Sequence, residues 1–256
     1  MKHLLFILGF FVSIAGTGTA CCCEGSGSIP DGSGESGRTC LLPCIKLEGV
    51  SSMQTPYGKE PRETISLPPA PKAGKVSVEE AIWRRRSIRD FKDEEPSPEI
   101  VSKLLWAAQG ITEKRERLRS APSAGATYPL EVFIVTPEYV ARYVPEDHHL
   151  LVTVKRDVRR SLAAAALNQP WVEKAPVVFV FTADVSRTAG RYGERAHLYV
   201  HVEVGCASEN LMLEAAALGW GSVAVGAFYE DRVSRALQLP EELTPYLIVP
   251  VGVPSR

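Results

Sequence analysis

The sequence predicts an α+β fold, on three observations. Helical segments outnumber strands, the two kinds interleave irregularly, and the run Val177 to Phe181 is a continuous apolar strand of the kind buried on both faces. Regular alternation of strand and helix would have argued for a doubly wound parallel sheet. Of the 256 residues, 45% are hydrophobic and 23% charged, which is enough apolar material for a real core. With 29 basic against 30 acidic side chains the net charge is -1, so no electrostatic footprint for a polyanion exists and nucleic acid is excluded as a partner.

The elements follow in order. Lys2 and His3 precede an apolar run from Leu4 to Ile14, and small residues follow through Ala20, which predicts a cleavable signal peptide over 1–20. The run is too short for a bilayer span. Cleavage before Cys21 would leave a cysteine terminus open to acylation, and so a lipid anchor. Against this, Gly18 stands where a bacterial lipobox usually has Leu, and the alternative is an unmodified cluster of Cys21, Cys22 and Cys23. Residues 21–75 are rich in Gly, Ser and Pro and read as a flexible tether, with Cys40 and Cys44 candidates for a disulfide in an oxidising compartment.

The folded domain is expected over 76–256. Ser77 with Glu80 forms a capping box ahead of the stripe Val78, Ala81 and Ile82, so a helix should run to about Arg85. Ser97 and Pro98 open a second helix that ends before Gly110. Leu130 to Val135 and Leu150 to Val154 read as strands, Asp157 to Leu167 as a helix, and Arg195 to Leu218 as a long helix stopped by Gly219. A strand at Ser222 to Val225, a helix at Asp231 to Leu237 and a strand at Leu247 to Val249 complete the domain. Cys206, inside the long helix, reads as a small packed hydrophobe.

Two segments suggest chemistry. Arg84, Arg85, Arg86, Ser87 and Arg89 crowd a helix-to-loop junction, where forked guanidinium donors and a hydroxyl suit a phosphomonoester; a solvated basic face completing the helix dipole is the alternative. The loop Pro122 to Pro129 is built of small residues that permit close approach of a flat ligand, or is an ordinary turn-rich loop. Ser123 lacks the setting of a hydrolase nucleophile, and Gly219-Trp220-Gly221 follows a helix, so it is no dinucleotide fingerprint. His197 and His201 share a helix face without a third metal ligand in view, and no metal is expected. His148-His149 reads as the close of a loop before the strand at Leu150.

These pieces, together with Arg191-Tyr192-Gly193-Glu194-Arg195 and Glu209-Asn210-Leu211 through Phe228, resemble the nitroreductase superfamily over about Val76 to Val253, and most closely its SagB-type dehydrogenase branch. The resemblance implies an FMN-binding fold with a central, mainly antiparallel sheet surrounded by helices, and an intertwined homodimer with FMN at the interface. Arg85, Arg86, Ser87 and Arg89 would face the phosphate and ribityl chain, and Pro122, Ser123, Ala124 and Gly125 would border the isoalloxazine. Val225 and Gly226 would present backbone N–H groups to the flavin N5 edge, where hydride is exchanged with a small organic substrate.

Arg191 and Tyr192 match a pair that is commonly Lys-Tyr in that branch, where it handles protons in azoline oxidation. Arginine stays protonated, which argues against the same chemistry. The sequence stops at Arg256, where many relatives continue to a basic phosphate contact, so either the arginines near Ser87 or Arg256 would serve. An enzyme is therefore expected, with an exported flavin-binding or electron-relay lipoprotein as the alternative. Export to the periplasm or membrane surface also separates the protein from cytoplasmic NAD(P)H, leaving the hydride donor unnamed.

Overall fold

The computed structural model describes residues 63–70 and 73–255. The expected signal peptide, Cys21, Cys40, Cys44 and Arg256 lie outside the described residues. The described residues begin with strand β1 (Thr64–Ser66), helices α1 (Val78–Arg84) and α2 (Pro98–Gln109), a small hairpin of β2 (Ile111–Glu113) and β3 (Leu118–Arg119), and a 3-10 turn at Ala124–Ala126. Strands β4 (Leu130–Val135), β5 (Val140–Val144) and β6 (His149–Val154) follow, then α3 (Arg159–Ala165), α4 (Pro170–Lys174) and β7 (Val177–Ala183). Helix α5 (Ser186–Tyr192) leads through a tight turn into α6 (Ala196–Ala217), and β8 (Gly221–Ser222), α7 (Glu230–Leu237) and β9 (Thr244–Gly252) close the domain.

The main sheet has seven strands in the order β1-β6-β5-β4-β7-β9-β8, every neighbouring pair antiparallel. Strand β7 lies inside the sheet between β4 and β9, and all seven of its residues are buried. Alternation divides them between two layers: Phe179 and Phe181 pack with α2 and α6, while Val178 and Val180 pack with α3, α4 and α7. A sheet covered on both faces explains why this strand reads as an unbroken apolar run.

Local chemistry sets the helix ends near the site. Ser77 Oγ accepts from the Glu80 N–H at 3.2 Å, as the capping box requires. The long helix α6 stops where Gly219 takes φ +80°, a left-handed conformation open to glycine. The stripe expected on α1 is different from expectation, because only Ala81 is buried while Val78 and Ile82 stay exposed, with Trp83 beside them. Among the described residues nothing covers that face. Helix α6 is apolar on nearly every side yet leaves Leu198 and Val202 exposed.

Other departures have visible causes. The end of the segment expected as tether forms the edge strand β1, paired through Ile65 with Leu150. Helix α5, of sequence SRTAGRY, carries no apolar stripe. The strand expected over Ser222 to Val225 is ordered pairing only at Gly221–Ser222, with a single further bridge from Val225 to Ile248. His148 sits at the turn before β6 with φ +49°, and its ring bonds Tyr143 Oη and Ser102 Oγ, each at 2.8 Å.

Candidate active site

The loop that enters β4 is tightly shaped. Gly125 has φ +61°, and a Cβ there would stand 2.7 Å from Tyr192 Oη and 2.9 Å from Arg191 Nη1. Ala126 and Tyr128 also adopt positive φ. Ser123 Oγ accepts the Tyr128 N–H at 2.9 Å and closes the loop on itself. Arg191 Nη1 donates to the Gly125 carbonyl at 3.4 Å, and the hydroxyls of Thr127 and Thr188 meet at 2.9 Å. Two segments 66 residues apart in sequence are therefore joined, and the expected loop Pro122 to Gly125 meets the expected pair Arg191 and Tyr192.

Aromatic contacts fix the pair from the other side. The Tyr192 ring meets Tyr199 of α6 edge-on at 4.8 Å between centroids, and the Arg191 guanidinium stands 5.5 Å from the centre of the Tyr192 ring. Arg195 donates to Tyr199 Oη at 3.2 Å, bringing a second cation to the same rim.

The arginine cluster is divided by the structure. Arg85 pairs with Glu209 of α6 at 3.2 Å, and Arg86 Nη1 donates to the carbonyls of Trp83 and Arg85 at 2.8 and 2.7 Å, where they complete the end of α1. Arg84, Arg85 and Arg86 line a cavity of about 230 Å³ with Gly221 and Ser222. Ser87 and Arg89 line a neighbouring one of about 350 Å³ with Pro254 and Ser255. The segment after α1 is held there by backbone bonds: Ile88 N–H to Ser222 at 2.9 Å, Lys92 N–H to Val253 at 2.8 Å and Ser255 N–H to Asp90 at 3.1 Å. Arg89 also stands 5.5 Å from the Trp171 ring centre.

The expectation that both Val225 and Gly226 present N–H groups to a ligand needs correction. Val225 exchanges both backbone bonds with Ile248, donating at 2.8 Å and accepting at 3.0 Å, so its N–H is committed to β9. Gly226 is exposed, has no backbone partner among the described residues, and meets nothing within 4 Å of an added Cβ. Only Gly226 offers a free donor at that position.

Sequence reasoning missed Glu203. It lies on the buried stripe of α6 at 3% exposure, and one carboxyl oxygen, Oε1, has no hydrogen-bond partner among the described residues. Burial pushes its pKa up to about 7, against smaller opposing effects of the Ser123 hydroxyl and the Arg119 charge. The available signal was a glutamate interrupting Val200, Val204, Ala207 and Leu211. His201, by contrast, is locally satisfied, with Nδ1 donating to the His197 carbonyl at 2.6 Å and its ring edge-on to Tyr246.

With this geometry in view, the model of the nitroreductase family matches residues 82–253. The chain belongs to the nitroreductase family. It is 37% identical over 188 residues to a protein of Methanocaldococcus jannaschii described as a nitroreductase, covering 71% of this chain and 93% of that one. It is 26% identical over 191 residues to an NADPH-dependent FMN reductase of Bacillus subtilis, covering 69% and 66%. A crystal structure of a nitroreductase-family protein from Ralstonia eutropha superposes with a TM-score of 0.70 at 26% identity, covering 79% of this chain and 98% of that one.

This nitroreductase-family chain is thus an oxidoreductase of an FMN-binding family. Its residues suit that cofactor. Ser87 and Arg89 line an open cavity with a hydroxyl and a guanidinium of the kind that bonds phosphate oxygens, Gly226 keeps an uncommitted N–H, and Ser123, Ala124, Gly125 and Ala126 are all small.

Proposed function

We propose that this chain is an FMN-dependent enzyme of the SagB-type dehydrogenase branch, a homodimer that exchanges hydride between flavin and a small organic substrate through a reacting end formed by Arg191, Tyr192 and the Pro122 to Gly125 loop. The observation that carries this reading is the contact of Arg191 and Tyr192 with Gly125. Bound FMN supplies a two-electron centre at N5. Arg191 is a permanent cation held by the Gly125 carbonyl, suited to orienting an anionic group or stabilising negative charge and unsuited to accepting a proton. The Tyr192 phenol, fixed between Gly125 and Tyr199, can bond a substrate heteroatom or pass it a proton.

Ser87, Arg86 and Arg89 hold the phosphate in this reading, Arg86 with the donors left beyond those given to the α1 carbonyls, and Arg85 shapes the wall beside them. A dimer is supported by geometry as well as by kinship. Tyr192 precedes α6 and Gly221 follows it, so the 22 residues of that helix, about 33 Å, lie between the two halves of the site within one subunit. The exposed Val78, Ile82, Trp83, Leu198 and Val202 offer the apolar surface on which a second copy would bring complementary halves together. The reading includes export, carried by the pattern of Lys2, Leu4 to Ile14 and Ala20.

The test is Tyr192→Phe, read by stopped-flow spectra of the flavin. The variant should keep FMN and slow the half-reaction with substrate by at least about a hundredfold, the usual lower range for loss of a proton-transfer group. A wild-type half-reaction rate with every donor tried would remove Tyr192 from the mechanism.

A further inference from the structure

Helix α5 carries Arg191 and Tyr192, yet little apolar packing holds it in place. Thr188 is its one buried side chain. The loop is met instead by a polar face in register: Arg191 Nη1 donates to the Gly125 carbonyl at 3.4 Å, the Thr188 and Thr127 hydroxyls meet at 2.9 Å, and Arg187 Nη1 donates to the Tyr128 carbonyl at 3.3 Å. Arg187, Thr188 and Arg191 fall on one side of a helix, so a single face follows the loop from Gly125 to Tyr128. Both accepting carbonyls belong to residues with positive φ, Gly125 at +61° and Tyr128 at +46°. For Tyr128, which has a Cβ, that conformation persists only where surrounding contacts hold it.

Of these three residues, Arg187 also reaches past the loop into the sheet. Its Nη2 donates to Glu131 Oε1 on β4 at 2.8 Å and its Nε to Asp184 Oδ2 at 3.3 Å, so one guanidinium serves the sheet, the loop and the start of α5. Glu131 has a side chain only 11% exposed, and its other oxygen accepts from Arg142 Nη1 on β5 at 3.0 Å, which fixes the carboxylate between adjacent strands. Asp184 accepts from the Ser186 N–H at 3.0 Å in the first turn of α5, and its own N–H donates to the Pro129 carbonyl at 3.0 Å. Two guanidiniums therefore balance two carboxylates. Lysine could not replace Arg187, whose donors diverge in a fixed plane towards three acceptors. Arg187 and Arg191 also stand four apart on the helix, where like charges repel, and Glu131 offsets the first of them.

We propose that Glu131 and Arg187 are the positioning pair of the reacting end: Glu131, set by Arg142, holds the Arg187 guanidinium, and that guanidinium sets the register of α5 on the loop and with it the placement of Arg191 and Tyr192. The pair acts through the helix and not on the substrate. That this end reacts rests on the function proposed above; the register of α5 does not. Small displacements are enough to matter, because a misplacement of about 1 Å can cost about a hundredfold in rate.

Ring resonances of isotope-labelled tyrosine in the purified protein read the register directly, since Tyr192 meets the Tyr199 ring edge-on and Tyr143, buried in the core, serves as reference. Arg187→Met keeps much of the side chain's length and removes every donor; it should shift the Tyr192 and Tyr199 signals and leave Tyr143 in place. Glu131→Gln should shift the Tyr192 signal too, and adding it to Arg187→Met should shift that signal no further, because both act on Tyr192 through the same bond. Should Arg187→Met not fold, Arg187→Lys takes its place with the same expectation. An unmoved Tyr192, or shifts that sum in the double variant, overturns the proposal. Reoxidation of the dithionite-reduced flavin by p-nitrobenzoate, an anionic probe, then reads the consequence for reactivity. Arg187→Met should slow it by up to about a hundredfold with FMN still bound, and by no more than about twofold in a background carrying Arg191→Ala and Tyr192→Phe. An undiminished effect in that background overturns the positioning role. A wild type inert to the probe, or a wild-type rate beside a shifted Tyr192, strikes the proposed function and leaves the register result standing.

Discussion

The phosphate end and the reacting end of the proposed site both use arginine, and they hold it in different ways. Arg85 and Arg86 answer charges and carbonyls at the close of α1, with Glu209 and the Trp83 carbonyl as partners. Arg191 has one long bond to the Gly125 carbonyl and is otherwise set by shape, lying with Tyr192 where any side chain at Gly125 would intrude. Electrostatic holding tolerates rearrangement, since long side chains can find new partners in water. Steric holding does not, because one methyl group occupies the space of the contact.

The largest effect is expected at the phosphate end, where charge acts on a charged ligand. Arg86→Ala combined with Arg89→Ala should weaken FMN by about 3 kcal/mol, on the order of a hundredfold, if a charge-assisted bond of about 1.5 kcal/mol is lost at each position. Thermal unfolding of the flavin-free protein should change far less, because both groups lie outside the buried core. Titration of FMN by fluorescence checks the first part. Equal affinity in the double variant would move the phosphate away from this cluster.

Gly125→Ala should invert that pattern. A left-handed conformation costs about 1–2 kcal/mol for a residue with a Cβ, and the new methyl must also displace Tyr192 Oη or Arg191 Nη1. A fall in stability of about 2 kcal/mol, seen in thermal unfolding, should accompany a slowed half-reaction and nearly unchanged FMN affinity. If Gly125→Ala and the double arginine variant show the same profile, the two ends are not separable.

The two ends also differ in how legible they were. The loop and the Arg191-Tyr192 pair could be named because their residues stand in recognisable motifs, yet their mutual contact could not, since α5 has no apolar periodicity to place it against the loop. The long helices were readable from caps and stripes, with Ser77 and Gly219 ending elements as their chemistry requires. Strand β9 was only partly so: Pro245 and Pro250 interrupt its pattern, although both pair opposite β7 without needing an N–H of their own. Glu203 was hidden for another reason. One acidic residue in a helix ordinarily marks a solvated face, and only packing shows that this one points inward.

The smallest predicted effect concerns the backbone donor that the two ends share as neighbours of the flavin. With Val225 N–H spent on Ile248, Gly226 carries the free donor alone. Gly226→Ala should be nearly silent in folding and in FMN affinity, because an added Cβ meets nothing within 4 Å in the subunit and the residue keeps its N–H. Gly226→Pro removes that N–H while leaving the Val225 pairing with Ile248 in place. A neutral hydrogen bond contributes about 1 kcal/mol net, so the proline variant should show a few-fold change in the rate of flavin reduction against the alanine variant, with cofactor still bound. Comparing proline with alanine, instead of with wild type, isolates the donor from the loss of glycine. Should the two variants reduce at the same rate, the donor at 226 does not touch the reacting edge, and orientation of the ring would fall to the Gly125 loop and its partners Arg191 and Tyr192.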